Sequence, residues 1–437
     1  MSKEGIKSVI LAALLIFSLF LTWNLWTYSP NIKEINQLQY MEDVTISNKQ
    51  EIASIIRPVQ ILYHAEENHY GSSSEDVLDT AMNMIMDWSF SDFEDVTSEF
   101  SLQELQNFMK KTGTSEIVFS DGVPLLLYKK VINIEDRELP DVEFNRILIK
   151  ASSDGSESSA VYFIDTGKEA IYKLSTDIAN VKQLDEHIKK IYATFITFSL
   201  VEIAEGKSFY LPTKELKIKS YKYYRELLDE KEFRDALFED PKLVRKNGSR
   251  YTDGMREMNV YKDTMMLNYI YPTQKESIKV SSSELLNRSI QFVNEHAGWE
   301  ENYRFAEMDT NSQKVTFRLY TDGLPVFNSD GMSEIIQVWR TQDEIYSYKR
   351  PFFTMNFPIP PSTKESTVLS GKEAVQLLMN MKDFQVDFLE GMAIGYRMTR
   401  DATDQRLIVL EPTWHYKYNG VWQPLISVSG GIDDGLE

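Results

Sequence analysis

"YRFAEMDTNSQKVTFRLYTDGLPVF", Tyr303 to Phe327, decides how the rest of this chain folds. It reads as strand, polar turn reaching Gln313, strand, a tight turn at Asp322-Gly323, and strand again. Asp-Gly between apolar runs is a hairpin signal, because aspartate and glycine tolerate the backbone angles a tight turn needs. The stretch is therefore antiparallel sheet. Immediately before it lies "SSSELLNRSIQFVNEHAG", a serine-capped helix, and after it "SEIIQVWRTQDEIYSYKRPF".

The same order returns further on. "LSGKEAVQLLMNMKDF" is a second capped helix, followed by "YRMTRDATDQRLIVLEPTWHYKYNGVWQPLISV". Tyr303-Arg304 and Tyr396-Arg397 open the corresponding strands, with polar turns reaching Gln313 and Gln405. The repetition predicts a duplicated unit of one helix and three strands. "NFPIPPSTKES", with Pro358, Pro360 and Pro361, joins the two copies as a linker. Upstream, "GKSFYLPTKELKIKSYKYYRELLDEKEFRDALFEDPKLVRKNGSRYTDGMREMNVYKDTMMLNYIYP" mixes helical and extended text, with turns at Asn247-Gly248 and Asp253-Gly254.

The first 200 residues carry another mixture. "RPVQILYH" reads as a strand, and "SSSEDVLDTAMNMIMDWSF" as a helix capped within Ser72 to Ser74, with Glu75 and Asp76 in its first turn. "SLQELQNFMKKTG" carries Ser101 and Glu104 at capping-box spacing and Gly113 as its stop. "SEIVFSDGVPLLLYKKVI" and "FNRILIKASSDGSESSAVYFID" each hold an Asp-Gly turn, at 121 and 154, and "EAIYKLST" closes the set. The fold class expected is α+β and mainly antiparallel. Its organisation is a tip and anchor over 1–28, a tether over 29–45, an N-terminal domain over 46–200, a central domain over 201–357 and a C-terminal domain over 358–437.

The anchor follows from "FSLFLTWNLWTYSPN", Phe17 to Asn31. Ser8 to Thr27 carries no charge, and that length of helix spans about 30 Å, the thickness of a bilayer's hydrocarbon core. A cleaved signal peptide is the alternative, but bulky Trp23, Asn24, Leu25, Trp26 and Tyr28 stand where a peptidase wants small residues. Trp23, Trp26 and Tyr28 suit the headgroup layer, and Pro30 ends the helix. Lys3 and Lys7 keep the short end in the cytoplasm and place the body outside. Ala12, Ala13 and Ser18 allow close helix approach, and Asn24 offers a hydrogen bond across helices, so these four are candidate membrane-helix contacts.

Composition narrows the function. The chain has no cysteine, hence no disulfide, thiolate nucleophile or Cys-ligated zinc. Its net charge is −19, and because Lys3, Lys7 and Glu4 leave 1–28 at +1, the remainder carries −20. Such a body repels nucleic acid and anionic lipid.

Three segments carry a family resemblance: the opening through "LTWNLWTYSPN", the middle "FEDPKLVRKNGSRYTDGMREM", and the end "LEPTWHYKYNGVWQPL". Together they resemble the YycH family, and the end also fits the related YycI family. The resemblance implies a three-domain body outside the membrane and a single-pass anchor. It also implies a role in regulating the essential WalK (YycG) sensor histidine kinase, which controls cell-wall metabolism in low-GC Gram-positive bacteria, in a complex with YycI.

The residues themselves supply no catalytic signature. "YHAEENHY" gathers His64, Glu66, Glu67 and His69, but without the histidine spacing of a zinc hydrolase helix it reads as a strand running into a polar loop. His187, His296 and His415 stand alone. No nucleophile elbow, S-x-x-K pair or phosphate-binding glycine loop occurs. The expectation is a non-enzyme without cofactor or metal. The alternative is an extracytoplasmic cell-wall or carbohydrate-binding protein that stacks sugars on Trp414, Tyr416, Tyr418 and Trp422. Their alternation fits one face of a sheet better. With Trp339, the exposed members of this set are the candidate partner surface.

Overall fold

The computed structural model describes residues 18, 49–66, 68–150, 158–204, 207–272, 279–341, 344–359 and 364–426. From residue 49 onward they form one compact α+β unit, mostly strand.

Ten strands make the first sheet: β1 (Gln60–Ala65), β2 (Asn68–Ser72), β3 (Ser89–Asp95), β4 (Thr114–Pro124), β5 (Asn133–Ile134), β6 (Glu143–Lys150), β7 (Ser158–Asp165), β8 (Ala170–Asp177), β9 (Ile196–Ala204) and β10 (Lys207–Pro212). Their spatial order is β10-β9-β2-β1-β4-β6-β7-β8-β3-β5, antiparallel except between β3 and β5. Helix α1 (Ile52–Ile55) precedes β1. One face of the sheet packs on α2 (Glu75–Met86) and, further along the chain, on α5 (Ile178–Ile191). Leu78, Ala81, Met82 and Ile85 recur at helical spacing on the buried side of α2, and Glu75 and Asp76 complement the dipole at its start. The other face meets α3 (Leu102–Met109), whose Leu105 packs with Leu148, Ile164 and Ile171. Ser101 and Glu104 form the expected capping box at its start.

The second sheet has 15 strands. They are β11 (Leu216–Leu227), β12 (Arg245–Asn247), β13 (Arg250–Thr252), β14 (Glu257–Tyr261), β15 (Met266–Ile270), β16 (Tyr303–Asp309), β17 (Lys314–Thr321), β18 (Leu324–Phe327), β19 (Glu334–Trp339), β20 (Ile345–Pro351), β21 (Phe353–Pro358), β22 (Lys364–Val368), β23 (Leu389–Arg400), β24 (Leu407–Tyr418) and β25 (Val421–Pro424). The main path runs β12-β13-β14-β15-β20-β19-β17-β18-β23-β24-β11-β21, with β16 on β17, β22 on β11 and β25 on β24. All neighbours are antiparallel save β18 and β23. Helices α4 (Leu125–Tyr128), α6 (Glu230–Leu237), α7 (Ser282–Glu295) and α8 (Gly371–Met379) complete the unit.

Several expectations change. The Asp121-Gly122 pair turns no hairpin: β4 runs through it with an irregular register between Val118 and Val123, and the apolar run after Pro124 coils into α4. The reason lies in β16, which has its own bulge between Phe305 and Glu307. The two irregularities meet. Ser120 Oγ donates to the Phe305 carbonyl at 2.8 Å, and Asp121 Oδ2 accepts from the Met308 amide at 2.8 Å. Tyr396-Arg397 does not open its strand either, since β23 starts at Leu389. Of the suggested domain ends, residue 200 falls inside β9, and 357 lies one residue before the end of β21 at Pro358. The Asp154-Gly155 turn lies outside the described residues.

A single apolar core passes through both sheets, from Ile61, Ile117 and Phe163 to Phe305, Phe317 and Tyr348. At its edge, Arg304 on β16 is 1% exposed, pairs with Glu75 at the start of α2, and lies over the Tyr320 ring at 4.8 Å. The Asp322-Gly323 turn rests on the same helix start. Gly323 has φ +75°, and a Cβ there would stand 2.1 Å from the Ser73 carbonyl oxygen, so both angle and space require glycine. Glu75→Leu strands the buried guanidinium and is expected to lower unfolding free energy by about 3 kcal/mol. The double replacement Glu75→Leu/Arg304→Leu is expected to recover part of that loss in chemical denaturation.

Candidate contact surfaces and a buried polar cluster

The aromatic candidates divide by the pleat. On the β24–β25 ladder Tyr418 faces Val421, Tyr416 faces Gln423 and Lys417 faces Trp422. Trp414, Tyr416 and Tyr418 therefore share one face while Trp422 lies on the other, beside His415. Trp414 and Tyr416 are buried against Leu211, Leu378 and Leu389 under α8. The Trp414 indole donates to the Leu369 carbonyl at 2.9 Å. Trp339 is buried too, its indole held by Ser289 Oγ at 2.9 Å with the Arg288 guanidinium 4.6 Å above its ring. These three rings are core: all are buried, the two indoles bond inside, and the Tyr416 hydroxyl donates to Gln423 at 3.0 Å. They leave the candidate surface.

Tyr418 and Trp422 remain partly exposed. Tyr418 packs on Phe384 and on the exposed Phe388, while Val421 and Ile426 are exposed at 59% and 65%. Trp422 packs on Phe327, which stacks on buried His415 at 4.1 Å. Burial pushes the His415 imidazole down to about 3, so it is neutral packing material at ordinary pH. Of the anchor residues, Ser18 is helical and exposed. Ala12, Ala13, Asn24, Trp23, Trp26 and Tyr28 lie outside the described residues. Among the described residues no helix is long and apolar enough to cross a membrane.

The polar loop expected at "YHAEENHY" is instead a hairpin. Tyr63 pairs with Tyr70, His64 with His69 and Ala65 with Asn68, and Glu66 takes φ 55° at the turn. His64 is fully buried. Its Nδ1 lies 2.7 Å from His69 Nδ1, and its Nε2 lies 2.7 Å from Glu116 Oε1 on β4. The other Glu116 oxygen accepts from Arg146 on β6 at 2.7 Å. Burial alone would raise the Glu116 carboxyl, but the Arg146 guanidinium and the His64 hydrogen bond outweigh it and hold the group below its ordinary value. The Tyr210 ring from β10 covers both imidazoles, with centroids 5.5 Å from His64 and 4.9 Å from His69. Glu116, Arg146 and Tyr210 were not singled out by the sequence, since their positions come from three separate strands. Among the described residues no group of three or more His, Cys, Asp or Glu is placed to hold a metal.

The class defined here is an α+β body of two antiparallel sheets whose conspicuous aromatics are largely structural. Residues 4–193 match the family model "YycH protein, N-terminal domain", residues 206–429 match "YycH protein, C-terminal domain", and the chain belongs to the YycH family. It is 25% identical, over all of both chains, to the "Two-component system WalR/WalK regulatory protein YycH" of Bacillus subtilis (strain 168). Its fold is similar to that in the "Crystal Structure of YycH from Bacillus subtilis", with TM-score 0.77 and 22% identity over 87% of this chain and 98% of the other.

The division between core and rim is open to a direct check. Trp414→Ala is expected to cost about 4 kcal/mol in denaturant unfolding, as for other buried aromatic truncations. Trp422→Ala, at a partly exposed site, is expected to cost about 1 kcal/mol.

Proposed function

We propose that this chain is a non-catalytic accessory regulator of a WalR/WalK two-component system. The observation that carries the reading is the match along the whole of both chains to a protein named for that role. On this reading residues 1–28 anchor the chain with its N-terminus in the cytoplasm and its body outside. Ala12, Ala13, Ser18 and Asn24 form the contact with the kinase's membrane helices, where small residues permit close packing and an amide bonds across helices. The regulator acts by binding one of the kinase's two states better than the other. YycI is the companion, engaged through residues 201–437, where Tyr418 and Trp422 keep the exposure a hot spot needs. Cell-wall metabolism is the output under control. The net charge of −19 disfavours nucleic acid as a partner.

A cell-wall or carbohydrate-binding protein needs a platform of exposed rings. Burial of Trp414 and Tyr416 takes two of the four candidate rings away.

Deleting the gene is expected to change the output of a WalR-dependent reporter, and the intact chain to restore it. Replacing residues 1–28 by an unrelated anchor is expected to leave the body in place yet fail to restore output. Asn24→Leu is expected to reduce recovery of the kinase in a membrane pull-down at equal expression. Full restoration by the foreign anchor would remove the membrane helix from the mechanism.

A further inference from the structure

The His64–His69 contact has room for one proton. An ionised carboxylate only accepts, so His64 Nε2 must donate to Glu116, and the 2.7 Å gap between the two Nδ1 atoms holds a single shared hydrogen. If both rings became imidazolium, two N–H groups would point at each other. The charged and titratable neighbours are Glu116 on β4, Arg146 on β6, Tyr210 on β10 and Lys110 at the end of α3. Among these described neighbours Glu116 alone is negative, and Arg146 already engages it. A second positive charge on the pair therefore lacks a counter-charge.

The pair sits where the two sheets communicate. His69 is paired with Phe198 across the β2–β9 seam, and β9 continues into β10. Tyr210 on β10 covers the histidines, and the next residue, Leu211, seats the start of α8. A Cβ on Gly371 would lie 2.2 Å from Leu211 Cβ. Lys207, at the other end of β10, donates to the Val386, Asp387 and Leu389 carbonyls at 3.1, 3.2 and 2.8 Å. One short hairpin thus bears the ring over the histidines and the contacts to the C-terminal region.

We propose that His64 and His69 form a proton-operated latch: once both rings are imidazolium, their Nδ1–H groups face each other, the Nδ1–Nδ1 hydrogen bond breaks, and the β2–β9–β10 seam that holds α8 loosens. Starting from the neutral pair, two protons come from the solvent, and no bond other than N–H is made. Burial, then the His64 charge, lower the His69 imidazole to about 4 from its ordinary 6.5. A depressed histidine contributes stability that is complete above 6.5 and is lost as pH falls toward 4. Asp121 and Glu301, whose carboxyls burial raises to about 6 and about 7, act with the opposite sign. Their contribution is complete at low pH and lost as pH rises, so acid loosening does not come from them. On the proposed outward placement of the body, the latch meets the acidity of the medium.

Hydrogen–deuterium exchange on the full chain, corrected for the intrinsic pH dependence of amide exchange, tests this. Between about pH 7 and about pH 5 the opening equilibrium over residues 68–72 and 196–212 is expected to rise about 20-fold, while β7 stays protected. His69→Gln, which keeps a hydrogen-bonding group but does not titrate, is expected to abolish that pH dependence, and His415→Leu to retain it. If His69→Gln folds poorly, histidine NMR on the unmodified chain decides, because a latch requires a His69 midpoint well below 6.5. A midpoint near 6.5, or acid opening that persists in His69→Gln, overturns the proposal.

Discussion

The buried guanidinium of Arg304 is the constraint around which the two sheets are arranged. A charge with 1% exposure must find a partner, and the partner is Glu75, more than two hundred residues earlier at the start of a helix packed on the other sheet. Around that pair the fit is close. The Gly323 turn rests on Ser73, Asn302 braces Arg304 Nε at 3.2 Å, and the Tyr320 ring lies beneath. The bulges of β4 and β16 do the same work further along. They free a carbonyl and an amide that regular ladders would have consumed, and spend them on Ser120 and Asp121 across the boundary. Polar groups thus fix the register of an apolar core that would otherwise tolerate sliding.

Local chemistry was readable from the chain, and distant pairing was not. The capping box at Ser101, the Ser281 cap and the turns at Asn247-Gly248 and Asp322-Gly323 all depend on residues within four positions of one another. Asp121-Gly122 has the same text as a hairpin turn and fails as one, because a backbone amide of β16 claims the aspartate. Trp414 and Tyr416 have the text of a binding platform and serve as core, because α8 packs over their face. In both cases the deciding neighbour is far away in sequence.

The histidine cluster falls between these extremes. "YHAEENHY" is nearly a mirror of itself about Glu66 and Glu67, the pattern an antiparallel hairpin gives when opposite positions share a role. That symmetry was available as a signal for the His64–His69 pairing. Nothing nearby announces that Glu116 would accept from one ring or that Tyr210 would cover both.

The parallel contact between β18 and β23 has a mechanical meaning. It consists of Val326 opposite Tyr396 and Phe327 opposite Arg397, and it splices the β12–β20 portion of the second sheet to the β23–β24–β11 portion. The splice is short, and the Asn328 amide adds one more bond across it, to the Met398 carbonyl at 2.9 Å, so the two portions meet along a narrow crease. Phe327, in the crease, touches both His415 and Trp422. The partly exposed Trp422 also lies under the Arg318 guanidinium of β17 at 5.8 Å, so anything that binds this ring presses directly on the splice.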